Sequence, residues 1–301
     1  MRDLRPAEPR DAHVAALLQN ATSEPHFSIT AQKLTHIFAQ ERHGYAVSEA
    51  AGVLTGLSSC WLPEFHPTHA WIGLHLHPDA LGDGTAAAHL TWHAGEAEQA
   101  GRTHLWLSVR EDYQPTWPDV EALGFREVHR TFGGGFHLQH RGVDGAALET
   151  RLAAQGYRLE AAAANQHDAR LQGLYELTCG DKVSAPPTIP LASAELSDED
   201  ALWEAAVLAW QGEDLVGLAL PERSRLEAWN AVLIVHPGHR RRGLGTALQV
   251  RVARAVQKGG RAFLNTAGSA RDAAYLGVLR RSGANIEPDW IAYDRSIAGL
   301  G

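Results

Sequence analysis

Short apolar runs rich in β-branched and aromatic residues recur along the chain, separated by alanine- and leucine-rich stretches that bury one face at helical spacing. The runs read as strands and the stretches as helices. MRDLRPAE opens as a strand, and Asp11 to Gln19 follows as a helix. YAVSEA and VLTGLSSCW are two strands joined around Gly52. AWIGLHLHP then leads through a glycine turn into a helix from Ala86 to Gln99. THLWLSV is a strand, Pro118 to Leu123 is helical, and Phe125 to Phe132 is a closing strand. The order then repeats: GYRLEAA, a helix from Gln166 to Leu177, ALWEAAVLAW turning at Gln211-Gly212 into LVGLAL, then AVLIV and a turn. The helix after that turn, RAFLNT, a helix from Ala270 to Arg281 and WIAYDR complete it.

Residues that set backbone geometry repeat with the pattern. His77-Pro78 recurs as His236-Pro237, Gly84 as Gly243, Gly101-Arg102 as Gly260-Arg261 and Gly124 as Gly283, every pair 159 residues apart. Turn residues at one shared offset indicate two copies of one fold. Strands alternating with helices place that fold in the α/β or α+β class. The expected division is 1–141, a connection over 142–155 (within HRGVDGAALETRLAAQ) and 156–301. The proline- and serine-rich stretch from Cys179 to Asp200 reads as a long surface loop or insert.

Composition narrows the classes. At 301 residues, 45% hydrophobic and 21% charged, the chain fits two globular domains. No apolar run approaches a spanning helix, and MRDLRPAEPRDAHV lacks the apolar core of a secretion signal. No membrane partner and a cytoplasmic location are therefore expected. Cys60 and Cys179 read as free thiols of a reduced compartment. A net charge of -8 argues against nucleic acid as a partner. A monomer or a homodimer is expected.

The stretch HPGHRRRGLGTALQ, His236 to Gln249, joins the strand AVLIV to a helix. A helix start exposes unpartnered N–H groups and partial positive charge, which suits phosphate. Gly243 and Gly245 admit a close ligand, and Arg240, Arg241 and Arg242 add charge. A triphosphate loop requires lysine where Leu244 stands. A dinucleotide loop requires a third glycine and an acid where Asn265 stands, which leaves a dinucleotide oxidoreductase a distant reading.

VHPGHRRRGLGTAL resembles the coenzyme loop of the GCN5-related N-acetyltransferases: a strand ending near Val-x-Pro, then Arg/Gln-x-x-Gly-x-Gly/Ala and a helix. Arg240, Gly243 and Gly245 fall on those positions. The whole chain resembles the tandem members that carry two such domains, each a mixed, mostly antiparallel sheet flanked by helices. The resemblance implies acetyl-CoA as co-substrate. Its pyrophosphate would lie on Arg240, Arg241, Arg242, Gly243, Leu244, Gly245 and Thr246. Its pantetheine arm would lie beside Leu233, Ile234 and Val235, across from Asn265 and Thr266. The first copy departs from the pattern, with Leu81 for the arginine, Ala86 for the second glycine and Asp83 within the turn. It is expected to be structural or a weaker coenzyme site.

The catalytic groups depart too. The family's base carboxylate corresponds to Trp229 and its acidic tyrosine to Leu279. Asp272 replaces an asparagine that often contacts the coenzyme. Strict alternation along the strand would put Glu227 on the face of Trp229, Leu233 and Val235 and make it the candidate base. Tyr275 lies one turn before Leu279 on the same helical face. His89 and His93 have metal-ligand spacing but no acidic partner in the expected pattern, and no metal is expected. Trp61, Trp71, Trp92 and Trp106 read as core residues. Two functions stay open: N-acetyl transfer to a primary amine of a small molecule or peptide, and acetyl-CoA sensing without turnover.

Overall fold

The computed structural model describes residues 3–40, 44–139, 145–163, 168–179, 196, 199–224 and 227–300, and its contacts divide them into two units. Most of the stretch from Cys179 to Asp200 lies outside the described residues. No described helix is long and apolar enough to cross a membrane.

The first unit runs to Arg130 and takes in the chain again from Trp290. It contains β1 (Asp3–Pro6), α1 (Ala12–Thr22), α2 (Ala31–Gln40), β2 (Tyr45–Ala50), β3 (Val53–Trp61), β4 (His69–Leu76), α3 (Thr85–Gln99), β5 (His104–Arg110) and the start of β6 (Arg126–His137). Helix α2 was not evident in the sequence; its buried Leu34 and Phe38 stand four apart and pack with α1. Residues 118–123 form turns rather than the expected helix, after a 3₁₀ segment over Glu111–Thr116. Left-handed Gly124 (φ 84°) closes the segment after a single turn, with Gly124 N donating to Glu121 O and Phe125 N to Val120 O.

The second unit holds the described residues from Thr131 to Asp289. After the rest of β6 come α4 (Ala146–Ala154), β7 (Tyr157–Ala161), α5 (Ala169–Cys179), β8 (Val207–Gln211), β9 (Asp214–Ser224) and β10 (Glu227–Val235). They are followed by α6 (Leu244–Lys258), β11 (Phe263–Ser269), α7 (Ala273–Arg281) and β12 (Asn285–Ile286); β13 (Trp290–Ser296) returns to the first unit.

The sheets are mixed and mostly antiparallel. In the first unit the order is β1-β2-β3-β4-β5-β13, with only β4 and β5 parallel. In the second it is β7-β8-β9-β10-β11-β6, with only β10 and β11 parallel and β12 pairing β6. The closing strands are exchanged. β13 pairs with β5 from Trp290↔Arg110 to Ser296↔His104. Thr131–His137 of β6 pairs with β11 in the second unit. The division by contacts is therefore not one of consecutive sequence stretches. Hydrophobic pattern identifies a strand, but pairing selects its neighbour.

Helix α6 explains how the second sheet is held. Leu244, Ala247, Leu248, Val252 and Val256 repeat every three or four residues and pack with Ala209, Val216 and Ala219 of the sheet. Truncating a buried leucine such as Leu248 costs roughly 2–5 kcal/mol. Leu171, Leu174 and Tyr175 of α5 cover the opposite face with Leu208, Leu218 and Val232.

Candidate functional site

The turn after β10 has an unusual backbone. Arg241 has φ 64° and Gly243 has φ 98°, with Arg242 between them outside the left-handed region. Alternating φ signs turn successive N–H groups toward one concave point, an arrangement that binds anions. A left-handed arginine is itself strained and points to a constraint at this loop. Gly243 caps α6 without a side chain, so no side-chain acceptor covers the first amides there. Arg240 folds back, its Nε donating to the Val235 carbonyl at 3.0 Å.

The matching turn in the first unit is built differently. Gly84 has φ 88°, but Gly82, opposite Arg241 in the repeat, is not left-handed. Asp83 Oδ1 accepts from Thr85 N at 3.0 Å and from Thr85 Oγ1 at 2.6 Å. A carboxylate of the chain thus already occupies the start of α3.

Strand β10 opens a gap in the second sheet. It pairs with β9 as far as Val235, with a bulge between Asn230 and Val232. Its parallel pairing with β11 stops at Ala228↔Leu264 and Trp229↔Asn265. Beyond that point the strands diverge, and both present backbone groups that an extended, amide-bearing ligand can meet. β4 keeps its register with β3 without a bulge.

The bulge also corrects the face assignment made from strict alternation. Before it, Ala228 packs on the α6 side. After it, Leu233 and Val235 pack on that side, while Val232 and Ile234 join the α5 side. One extra residue reverses the parity. Glu227 therefore does not share a face with Leu233 and Val235. Its Oε2 accepts a short hydrogen bond from Asn265 Nδ2, and it does not line the cleft described next.

A cleft of about 1530 Å³ runs from the arginine turn into the gap. Leu233, Ile234, Val235, Arg240, Arg241, Arg242, Gly243, Leu244, Gly245 and Thr246 line it together. Asn265 and Thr266 do not: Asn265 sits in the closed part of the ladder, and Thr266 is fully buried. The open side of β11 starts at Ala267. Sequence reasoning missed Arg151 and Gln155, which reach the cleft from the connection, and Tyr175 and Thr178 from α5. Arg151 Nη2 lies 3.2 Å from where a Cβ on Gly243 would stand. With Arg281 on the rim and Asp272 the one carboxylate lining the cleft among the described residues, the cleft is positive in a chain of net charge -8.

Tyr275 lines the cleft beside Gly268 of β11. Its hydroxyl is 2.6 Å from Thr266 Oγ1, and its ring lies 5.9 Å from that of Phe132. Burial pushes its pKa up, and the hydrogen bond with Thr266 opposes that shift. Leu279, by contrast, is completely buried in the core. Asp272 Oδ1 caps α7 by accepting from Tyr275 N at 2.9 Å. Trp229 pairs with Asn265 and does not line the cleft. His239, which also lines the cleft, shares a hydrogen bond through Nδ1 with Tyr157 Oη at 3.0 Å. Its pKa is lowered, chiefly by burial.

The histidine pair in the first unit is built into a buried network. Ser58 Oγ lies 2.6 Å from His89 Nδ1 and 2.7 Å from His93 Nε2. His93 Nδ1 bonds to Glu96 Oε2 at 2.7 Å, near Cys60, whose thiol burial pushes up to about 12. His69, His104 and Asp294 form a second group of metal-ligand types, in which His69 bonds to Asp294 and Thr68. Of the tryptophans, Trp106 is buried, Trp71 and Trp92 are half-buried, and Trp61 is 55% exposed, against its expected core position.

No protein-family model and no curated protein matches the chain by sequence. Solved structures do match. A GCN5-related N-acetyltransferase from Sphaerobacter thermophilus aligns with TM-score 0.67 at 15% identity, over 98% of this chain and 96% of that one. A tandem GNAT protein from the clavulanic acid biosynthesis pathway aligns with TM-score 0.56 at 15% identity, over 99% of both chains. The GCN5-related glucosamine N-acetyltransferase region of a fungal multi-domain enzyme aligns with TM-score 0.61 at 11% identity, over 98% of this chain and 38% of that one. With two copies of one mixed sheet, each parting between its two parallel strands and the second doing so beside an arginine-glycine turn, the chain has the tandem fold of the GCN5-related N-acetyltransferases.

Proposed function

We propose that the chain is an acetyl-CoA-dependent N-acetyltransferase, with its coenzyme site in the second unit and a primary amine of a small molecule or peptide as acceptor. The observation that carries this reading is the joining of three parts in one cleft. These are a concave run of amides at Arg241–Gly243, a gap between β10 and β11, and Tyr275 beside the β11 side of that gap.

The parts divide the work. The amides of the turn and the start of α6 hold the pyrophosphate, with Arg151, Arg240, Arg241 and Arg242 around it. Leu233–Val235 and Ala267–Ser269 offer backbone groups to the pantetheine arm. Bound acetyl-CoA supplies the activated thioester. Tyr275 donates its proton to the departing sulfur. Glu227 is outside the cleft, so the amine gives up its proton to water and not to that carboxylate.

Asp272, the one carboxylate lining the cleft among the described residues, is engaged as the cap of α7, which favours a second reading, an acetyl-CoA sensor without turnover. Thiol release measured across an amine panel separates the two. Release with at least one amine, lowered about 10²-fold by Tyr275→Phe with coenzyme affinity kept, is expected for the transferase. Coenzyme binding without release for any amine establishes the sensor, and no coenzyme binding overturns both.

A further inference from the structure

The tetrapeptide Thr-His-x-Trp occurs twice in the first unit, as Thr68–Trp71 at the start of β4 and as Thr103–Trp106 at the start of β5. The two strands are parallel and pair His69↔His104, Ala70↔Leu105 and Trp71↔Trp106, so the copies lie side by side. Their rings follow the pairing. His69 and His104 stack with centroids 5.1 Å apart, and Trp71 and Trp106 stack at 5.9 Å. Residues paired across a ladder, and residues two apart on a strand, share a face. β13 sets Asp294 opposite Trp106, which brings a carboxylate onto the same face as the histidines. Leu105, Leu107, Ile291 and Tyr293 point the other way and pack with Leu90 and Ala94 of α3.

The two histidines are held alike. Thr68 Oγ1 meets His69 Nδ1 at 3.0 Å, and Thr103 Oγ1 meets His104 Nδ1 at 2.9 Å. Nε2 is then the second nitrogen of each ring, and His69 Nε2 stands 3.1 Å from Asp294 Oδ1. Arg126 Nη2 donates to the other carboxylate oxygen, Oδ2, at 3.2 Å, which leaves Oδ1 to the histidine side. One ligand atom from each of His69, His104 and Asp294 lies within 4.8 Å of the other two. Ligands about 2.1 Å from a tetrahedral metal stand about 3.4 Å from one another, so small side-chain movements close the group on one ion. A hydroxyl at Nδ1 is a partner that orients a metal-bound imidazole. Because a hydroxyl both accepts and donates, it also serves the tautomer with the proton on Nδ1 and Nε2 free for metal. The ring of buried Trp106 stands 5.6 Å from that of His69 and gives the group an apolar wall.

We propose that His69, His104 and Asp294 bind one divalent transition-metal ion, of which zinc suits them, and that the ion ties the returning strand β13 to β4 and β5. Two imidazoles and one carboxylate match zinc in ligand type and number, with water completing a tetrahedron. Asp294 lies 225 residues from His69 in sequence, so an ion shared by them closes a long loop. Only the folded chain brings the three ligands together, and binding therefore stabilises the fold. All three belong to the first unit, whereas the residues of the coenzyme cleft belong to the second, so the metal site does not depend on acetyl transfer.

Calorimetric titration of Zn²⁺ into the chelator-treated full chain tests this, with thermal melts alongside. The expected result is one Zn²⁺ per chain and a Tm raised by about 3 °C or more at saturating zinc. His104→Gln removes a half-buried ligand; it should raise the zinc Kd by about tenfold or more and abolish the rise in Tm, with the metal-free Tm within about 2 °C of the unmodified protein. Asp294→Asn is the second ligand variant, because it keeps an oxygen acceptor for His69 while removing the charge, and the same loss is expected. Cys60→Ser is the control for the other group of ligand types, Cys60, His93 and Glu96, and should leave zinc binding unchanged. Absence of stoichiometric binding overturns the site, as does a zinc Kd unmoved in both His104→Gln and Asp294→Asn. Loss of binding in Cys60→Ser alone overturns it too, and moves the ion to the group on β3 and α3.

Discussion

Gly243→Ala probes the backbone that the coenzyme reading depends on. Gly243 has φ 98°, and a Cβ there would stand 3.0 Å from Leu148 Cδ1 and 3.2 Å from Arg151 Nη2. Left-handed backbone costs an L-residue about 1–2 kcal/mol, and the contacts from α4 leave the new methyl little room. The loop relieves both by leaving the left-handed region, which breaks the alternation of φ that gathers the amides. Loss of one charge-assisted hydrogen bond is worth roughly 1.5–3 kcal/mol. Since 1.4 kcal/mol is tenfold in affinity, coenzyme Kd should rise by about 10- to 100-fold. Titration calorimetry with coenzyme A reads the change, and near-UV circular dichroism checks the fold. Gly245→Ala is the control: its Cβ meets only Val278 at 3.2 Å and Val235 at 3.9 Å, at an ordinary φ, and the first copy already has Ala86 there. It should bind within about threefold of the unmodified protein. A folded Gly243→Ala protein with unchanged affinity would refute the amide-cradle argument.

Calorimetry should also show one strong coenzyme site per chain, because Asp83 fills the α3 turn of the first unit; two equal sites would show that this carboxylate yields to phosphate. Arg151→Ala should weaken coenzyme binding by about two- to tenfold, the modest effect of an exposed charge, and the loss should shrink in high salt. Glu227→Gln should leave turnover and its pH profile unchanged, since Glu227 lies outside the cleft; a lost acidic limb would restore it as the base. Burial lowers the His89 pKa to about 3 from an ordinary 6.5, so below pH 6.5 the unfolded chain binds the extra proton. Stability should then fall by about 1.4 kcal/mol per pH unit from that residue, and urea melts at pH 7 and pH 5 should show a smaller loss in His89→Gln.

Much of the molecule was legible because it is written in local chemistry. Turn residues at one offset disclosed the repeat, since Gly84 and Gly243 both adopt left-handed backbone, as glycine readily does. The arginine turn was legible for the same reason. Glu227 was misread because alternation is a property of regular strands, and nothing in EAWNAVLIV marks the bulge after Asn230. Arg151 escaped notice because it lies far from the turn in sequence and reaches it only through the packing of α4 on α6.

By itself, then, the sequence determined most of the strands and helices, though not α2 or the turn before Gly124, together with the repeat and the glycine-arginine turn, all of which depend on residues close together along the chain. The tertiary structure alone decided that β13 completes the first sheet and β6 the second, that β10 parts from β11 after Trp229, and that Tyr275 rather than Leu279 meets the cleft. The physical reason is that strand partners, bulges and the direction of a helix face are set by which distant surfaces bury each other best. That competition is settled only when the whole chain is packed.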